Sequence, residues 1–264
     1  MSLIRHGRTP SLLLLACCLI TSRAGAGDWP EAERFEQFLR RALVTDSSPI
    51  GAGVTKSLKL RLELDGESRE AVFKSYDQPS DSWRREIAAY QLDRLLGLGM
   101  VPPTVKRKHR GRLGGLQLWV EGSSVASAEV PHDVDAWRRQ VSEMWIFDYL
   151  IGNIDRHLEN AIMTPEQHLV LIDNSKAFQT YPQVLDSIDS AVGATRASFW
   201  MIDHDSSRTR YPTFYRQELV DRIRSLTRSD LKTAIGSWVD GPSRRSLLER
   251  RDEILQVLAR RSTD

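Results

Sequence analysis

Hydrophobic positions change period several times along the chain, and each change predicts an element. Between Trp29 and Val44 the apolar residues Phe35, Phe38, Leu39 and Ala42 fall three or four apart, the spacing of an amphipathic helix. Thr45 to Gly53 is rich in Ser, Pro and Gly and is expected to be a loop. Leu58, Leu60, Leu62 and Leu64 then alternate with polar neighbours, as in a strand with one buried face. Asp65-Gly66 is a hairpin signal, and Ala71-Val72-Phe73 predicts the returning strand. Ser82 is suited to cap a helix running to Leu96, which Gly97 and Gly99 stop. Two prolines hold Met100 to Pro103 extended, and Gly114 to Val120 predicts a short buried strand.

From Val134 the pattern turns helical. Val134, Trp137, Val141, Met144 and Ile151 predict one long amphipathic helix ending near Gly152-Asn153. Leu169 to Ile172 is a four-residue apolar run, expected as a strand, and Gln179 to Thr213 is irregular. Phe214 to Val239 and Ser246 to Arg260 are again helical in pattern. The organisation is therefore α+β: a helix in 27–44, a small sheet with one helix in 45–121, a connection at 122–130, and a mainly helical part over 131–264. With 264 residues, 41% of them apolar, the chain fits one large domain or two lobes sharing a cleft.

The amino terminus changes the charge picture. Arg5 and Arg8 precede the apolar run Leu12 to Ile20, and Ala24-Gly25-Ala26 supplies small residues at a cleavage position, so 1–26 reads as a signal peptide. The run is shorter than the roughly 20 residues that span a bilayer. An exported location is expected: secreted, periplasmic or in the lumen of the secretory pathway. Leu14-Leu15-Ala16-Cys17 keeps open an uncleaved or lipidated anchor, the one expected membrane contact. The formal charge of +2 includes three arginines of this segment. Without them 34 basic residues face 35 acidic ones, which gives no general reason to bind nucleic acid. Cys17 and Cys18 are the only cysteines, so a chain cleaved after Ala26 has no disulfide and no thiol chemistry.

Chemistry concentrates in Asp155-Arg156-His157, Asn160 and Asp173-Asn174. Asp155 lies just past a predicted helix end, and the apolar strand delivers Asp173. An aspartate so placed can orient or accept a hydroxyl proton beside a transferred phosphoryl group. Asn160 and Asp173 are hard oxygen donors suited to magnesium or manganese bridging the phosphates of ATP. Asp173 alone would read as a surface acid; the ordered set argues otherwise. Upstream, Lys74 closes a predicted strand and can neutralise the α- and β-phosphates, while Glu86, twelve residues later on the predicted helix, can hold it. Gly51, Gly53, Val54, Thr55, Lys56 and Ser57 precede the first alternating strand and can approach phosphates through backbone N–H groups. The stretch lacks a P-loop's Gly-Lys-Ser/Thr ending. Trp119 and Val120, in a hinge-like Leu118 to Glu121, are expected to meet the adenine edge. Arg156 is expected to pair with an acid and His157 to brace the loop. The histidine spacing does not suit zinc.

The run Asp155-Arg156-His157 with Asn160 resembles the catalytic loop of phosphatidylinositol 3-/4-kinases and related atypical kinases. Ile172-Asp173-Asn174-Ser175-Lys176-Ala177-Phe178 resembles the metal-holding stretch of secretory-pathway kinases of the Fam20 and four-jointed type. The resemblance covers roughly residues 50 to 180. It implies an atypical, bilobal protein-kinase-like fold, with Asp155 catalytic, Lys74 and Glu86 as the strand lysine and helix glutamate, Asn160 a metal or phosphate contact, and Asp173 the main metal ligand. Asn174-Ser175 departs from the Phe-Gly of ordinary kinases and from the glycine of the secretory ones, which implies a stiffer loop after Asp173. The function so implied is ATP-dependent transfer of phosphate to a hydroxyl of a protein, glycan, lipid or small molecule. The alternative is a nucleotide-binding pseudokinase or scaffold, which scarce ATP outside the cytoplasm would favour.

Overall fold

The computed structural model describes residue 29 and residues 31–51, 57–129, 131–180 and 215–261. The predicted signal segment 1–26 lies outside them. Helix α1 (Ala32–Arg41) buries Phe38 and Leu39 against a sheet, and its last turn carries Arg40 and Arg41 where the helix dipole favours cations. Its final carbonyls, those of Leu39 and Ala42, accept hydrogen bonds from the Arg107 guanidinium.

The segment expected as a loop after α1 is instead strand β1 (Leu43–Pro49), antiparallel to β2 (Leu58–Leu64). Its composition misleads because it is an edge strand: β2 supplies the backbone partners, and no side chain of β1 is fully buried. β2 returns through Asp65-Gly66, both at positive φ as a type I′ turn requires, into β3 (Glu67–Lys74). The sheet continues through β7 (Arg112–Leu118) to β6 (Thr104–His109), in the order β1-β2-β3-β7-β6, every neighbour antiparallel. Strand β6 follows the prolines that were expected only to keep the chain extended. Leu60, Leu62, Ala71, Phe73, Val105 and Leu116 form the core under α1.

Two short strands, β4 (Asp77–Gln78) and β5 (Asp81–Ser82), lead into helix α2 (Trp83–Leu96). Ser82 caps α2 as expected, accepting from Arg84 N–H at 3.1 Å. A Schellman pair closes the other end, Gly97 N–H to Arg94 and Leu98 N–H to Asp93. The α2 amino end crosses β7 at Gly115, where a Cβ would lie 3.3 Å from the Trp83 carbonyl oxygen, and β3 crowds the neighbouring glycine. A Cβ on Gly114 would lie 2.3 Å from the Lys74 carbonyl oxygen and 2.7 Å from the Phe73 ring.

The connection carries β8 (Ser123–Ser124), which joins β9 (Ala161–Met163) and β10 (Leu169–Leu171) in a three-stranded sheet. Helix α3 (Val134–Ile151) is capped by Asp133 and ends at left-handed Gly152. The region expected to be helical from Phe214 to Val239 holds two helices, α4 (Gln217–Ser225) and α5 (Arg228–Ile235). A Thr227–Asp230 capping box starts the second. Helix α6 (Gly241–Arg261) follows. The fold is thus α+β, with one core under α1 in the sheet-bearing lobe and a second in the helical lobe. Ala88, Ala89, Tyr90, Leu92 and Leu96 of α2 nevertheless belong to the core of the helical lobe. Among the described residues no helix is long and apolar enough to cross a membrane.

Candidate active site

Each side chain of the candidate site is delivered at or near the end of an element. Lys74 is the last residue of β3, opposite Gly115 of β7, and its side chain is only 17% exposed. Glu86 lies on the first turn of α2, wholly buried. The Lys74 ammonium contacts Glu86 Oε1 at 2.5 Å and Asp173 Oδ1 at 3.0 Å, joining three residues separated by 12 and 99 positions. Glu86 Oε2 accepts the Asn174 N–H at 3.0 Å, so one carboxylate holds both the strand lysine and the loop after β10.

Asp173 follows β10 and takes a left-handed conformation, φ 55°, which aspartate tolerates better than most residues. Ser175, where the resembled families have glycine, donates its hydroxyl to Asp173 Oδ1 at 3.2 Å. The Ser175 carbonyl accepts from the N–H of Ser82 at the start of α2. This backbone bond ties the loop after Asp173 to the start of α2, and the serine hydroxyl adds only its contact with Asp173.

Asp155 lies beyond the Schellman close of α3, where Asn153 N–H bonds the Asp148 carbonyl and the Asn153 side chain accepts the Asp155 N–H at 3.1 Å. Asn160 is buried, and its amide donates to the Asp155 carbonyl at 3.0 Å, closing the loop. Asp155 Oδ2 is met by the Lys176 ammonium at 2.9 Å. Lys176 was not singled out in the sequence, although Asp-Asn-Ser-Lys placed it three residues after Asp173.

Arg156 does pair with an acid. Its guanidinium forks onto Asp148 at 2.8 and 3.1 Å, and donates to the carbonyls of Asn160 and Ile172 (2.7 Å for the latter) and to Asn174 Oδ1 at 2.6 Å. It clasps the Asp155 loop to the Asp173 loop. The bracing expected of His157 falls to Arg156 instead: the His157 side chain is exposed, and its carbonyl accepts the Asn160 N–H.

Burial works against a charged Lys74, but Glu86 and Asp173 outweigh it and hold the ammonium pKa above its ordinary value. Burial pushes Glu86 above the usual carboxylate range against the pull of Lys74. Burial would raise Asp173 too, yet Lys74, the Ser175 hydroxyl and Arg156 keep it below its ordinary value. The hydrogen bond to Asp155 raises Lys176. The shifts at Lys74, Asp173 and Lys176 thus all favour their charged forms, while burial of Glu86 works against its charge.

Of the glycine-rich segment, Gly53, Val54, Thr55 and Lys56 lie outside the described residues. Gly51 is exposed at φ 57°, and Ile50 N–H bonds the Ser57 carbonyl at 2.9 Å, so the described ends of the segment lie between β1 and β2. At the hinge the Trp119 N–H is engaged by the sheet. The Trp119 N–H is taken by the Glu70 carbonyl at 3.0 Å, and its ring lies under the Lys59 ammonium at 4.0 Å. Trp119 thus continues the sheet, and its N–H is not free for an adenine edge; Val120 and Glu121 follow past the strand end.

A family model described as phosphatidylinositol 3- and 4-kinase matches residues 117–194, less than a third of the chain but the part from the hinge through both aspartate loops. Among solved structures, a Helicobacter pylori proinflammatory kinase, CtkA, is similar with a TM-score of 0.47 and 13% identity, over 81% of this chain and 92% of that one. No curated protein matches.

Proposed function

We propose that the protein is an ATP-dependent phosphotransferase acting on a hydroxyl, exported by its amino-terminal segment. The observation that carries this reading is the Lys74–Glu86–Asp173 contact, made across the cleft by residues from both lobes and facing the loop of Asp155. A buried lysine neutralised by two carboxylates has little structural reason to sit at a cleft edge. It is well placed to receive phosphate oxygens when they displace Asp173 from it.

The donor set fits a magnesium or manganese ion accompanying the nucleotide. Asp173 offers a carboxylate that is 41% exposed, and Asn160, with its amide N–H committed, has an oxygen left to offer. Two such donors are too few for a closed cage, so the remaining ligands would be phosphate oxygens and water. When bound, the ion would offset the charge of the triphosphate. The chain's own residues do the rest. Lys74 binds phosphate oxygens, and Glu86 keeps it extended. Lys176 holds Asp155 in place and is positioned to neutralise the phosphoryl group in flight. Asp155 orients the acceptor hydroxyl and takes its proton as the acceptor oxygen bonds to the γ-phosphorus and the bridge to the β-phosphate breaks, releasing ADP.

The test is a paired one on purified Asp155→Asn and Asp173→Ala proteins, with nucleotide affinity by titration and transfer at saturating ATP. Asp173→Ala is expected to lose metal–nucleotide affinity and turnover together. Asp155→Asn is expected to keep affinity within a few-fold and lose roughly 10²- to 10⁴-fold in transfer. Parental transfer by Asp155→Asn would remove Asp155 from the mechanism, and tight nucleotide binding with no transfer by the parent would make the protein a scaffold.

A further inference from the structure

Helices α5 and α6 line a half-open surface pocket of about 210 Å³ whose charged lining is one-signed. Arg228, Lys232, Arg244 and Arg245 surround it, Leu231 and Leu248 form its floor, and no carboxylate lines it among the described residues. Arg244 is fixed by donation to the carbonyls of Val239 and Gly236. Arg228, Lys232 and Arg245 make no ion pair among the described residues. This is not the habit of the region: Arg216 pairs with Glu143, Arg224 with Asp221 and Arg251 with Asp252. Asp230 is engaged in the Thr227 capping box, and Asp240 accepts the Ser243 N–H at 2.8 Å and interacts with Arg244. The α6 amino terminus is thereby already capped, so the positive character of the cavity comes from its side chains.

Arg228, Lys232 and Arg245 converge there beside Arg244 with no ion pair of their own among the described residues, and an anion seated between them relieves their mutual repulsion. Guanidinium forks and a lysine ammonium match the oxygens of a phosphate group. The volume is below the roughly 300–1,000 Å³ that encloses a whole drug-sized ligand, which suits a phosphate-bearing group more than a complete nucleotide. We propose that this cavity binds a phosphate-bearing ligand through its phosphate, at a site separate from the Lys74 cleft. Helix α5 packs against α2, and Trp238, just past α5, meets Trp83 edge-on at 6.3 Å, so the occupant would rest on the elements that buttress the helix of Glu86.

The probes are inorganic tripolyphosphate, by calorimetry, and phosphatidylcholine vesicles with or without phosphatidic acid, by co-sedimentation. The parent protein is expected to bind at least one. Lys232→Gln/Arg245→Gln, both on exposed side chains, should weaken that binding about tenfold with an unchanged unfolding midpoint. Lys106→Gln/Lys108→Gln, exposed lysines of β6, should leave it as it was, and so should Lys74→Ala if the phosphate sits outside the nucleotide cleft. Binding of tripolyphosphate assigns a soluble ligand, and binding of phosphatidic acid vesicles alone assigns a lipid head group. Parental affinity in the Lys232→Gln/Arg245→Gln protein, or no binding of either probe by the parent, overturns the proposal.

Discussion

Replacing Arg156 with methionine removes the guanidinium that ties the two aspartate loops together while keeping most of its volume. The Arg156 and Asp148 side chains are 2% and 4% exposed, so the change strands a carboxylate in the core. Breaking a buried pair from one side costs about 3–5 kcal/mol. Asp148 keeps one donor, the Asn153 amide at 3.0 Å, which softens the loss. The carbonyls of Asn160 and Ile172 and Oδ1 of Asn174 each lose a donor as well, at about 1–3 kcal/mol apiece if left dry. Simple addition would consume the whole stability of a typical domain, about 5–15 kcal/mol, but the groups share one site and are not additive. The expected net loss is therefore about 3–5 kcal/mol. With a urea slope of about 3 kcal/mol per molar, the unfolding midpoint followed by tryptophan fluorescence falls by roughly 1–1.7 M. Asp148→Leu/Arg156→Met, which removes both charges, should recover more than half of the loss. A single variant within about 1 kcal/mol of the parent, or a double variant no better than the single, refutes the clasp.

Ser175→Ala removes the hydroxyl 3.2 Å from Asp173 Oδ1. Stability should change by about 1 kcal/mol or less, while the magnesium needed at fixed nucleotide rises about two- to fivefold; an unchanged metal titration would deny Ser175 its orienting role. At Asp240 burial would raise the pKa, but the Ser243 hydroxyl and N–H, with Arg244, hold it below the ordinary carboxylate value. A depressed folded pKa stabilises above the unfolded value, near ~3.9, and that contribution disappears as pH falls from there through the folded value. The stability gap between parent and Asp240→Asn, which keeps a capping side chain, should be present at pH 6 and close below about pH 3; a gap independent of pH counts against the charge.

Much of the site was legible because it depends on order along the chain. Alternation named β2, Asp65-Gly66 named its turn, and Ser82 and Gly97 bounded α2 almost to the residue. Those local signals fix where Lys74 and Glu86 stand relative to each other, since a strand end and a helix first turn can be read from a dozen residues. Three features escaped because their causes are not local. β1 is held by pairing with β2, and its Thr-Asp-Ser-Ser-Pro composition speaks only for its exposed faces. The Trp119 amide is taken by a carbonyl 49 positions earlier, which no hinge motif announces. Lys176 meets Asp155 across 21 residues, and sequence shows the lysine without showing which acid it faces.

The placement of α2 bears on how such a site can be controlled. In kinases whose helix glutamate is swung in and out, the lysine–glutamate pair is made and broken with the position of that helix. Here Tyr90, Leu92 and Leu96 are fully or almost fully buried in the core of the helical lobe, while the other side of α2 meets β6 and β7. Exposing those three side chains would cost about 1.5–3 kcal/mol each, so an outward swing lies roughly 5–9 kcal/mol uphill. A state that costly is populated below about one part in a thousand and cannot act as a resting form. Asp93 reinforces the position: its carboxylate accepts the N–H groups of Gly99, Met100 and Val101, and the Met100 carbonyl accepts the N–H of Leu171, two residues before Asp173. The helix of Glu86 and the strand leading to Asp173 are thus built on one rigid frame. If the site transfers phosphate as proposed, its control would have to act on what enters it, the nucleotide or the acceptor.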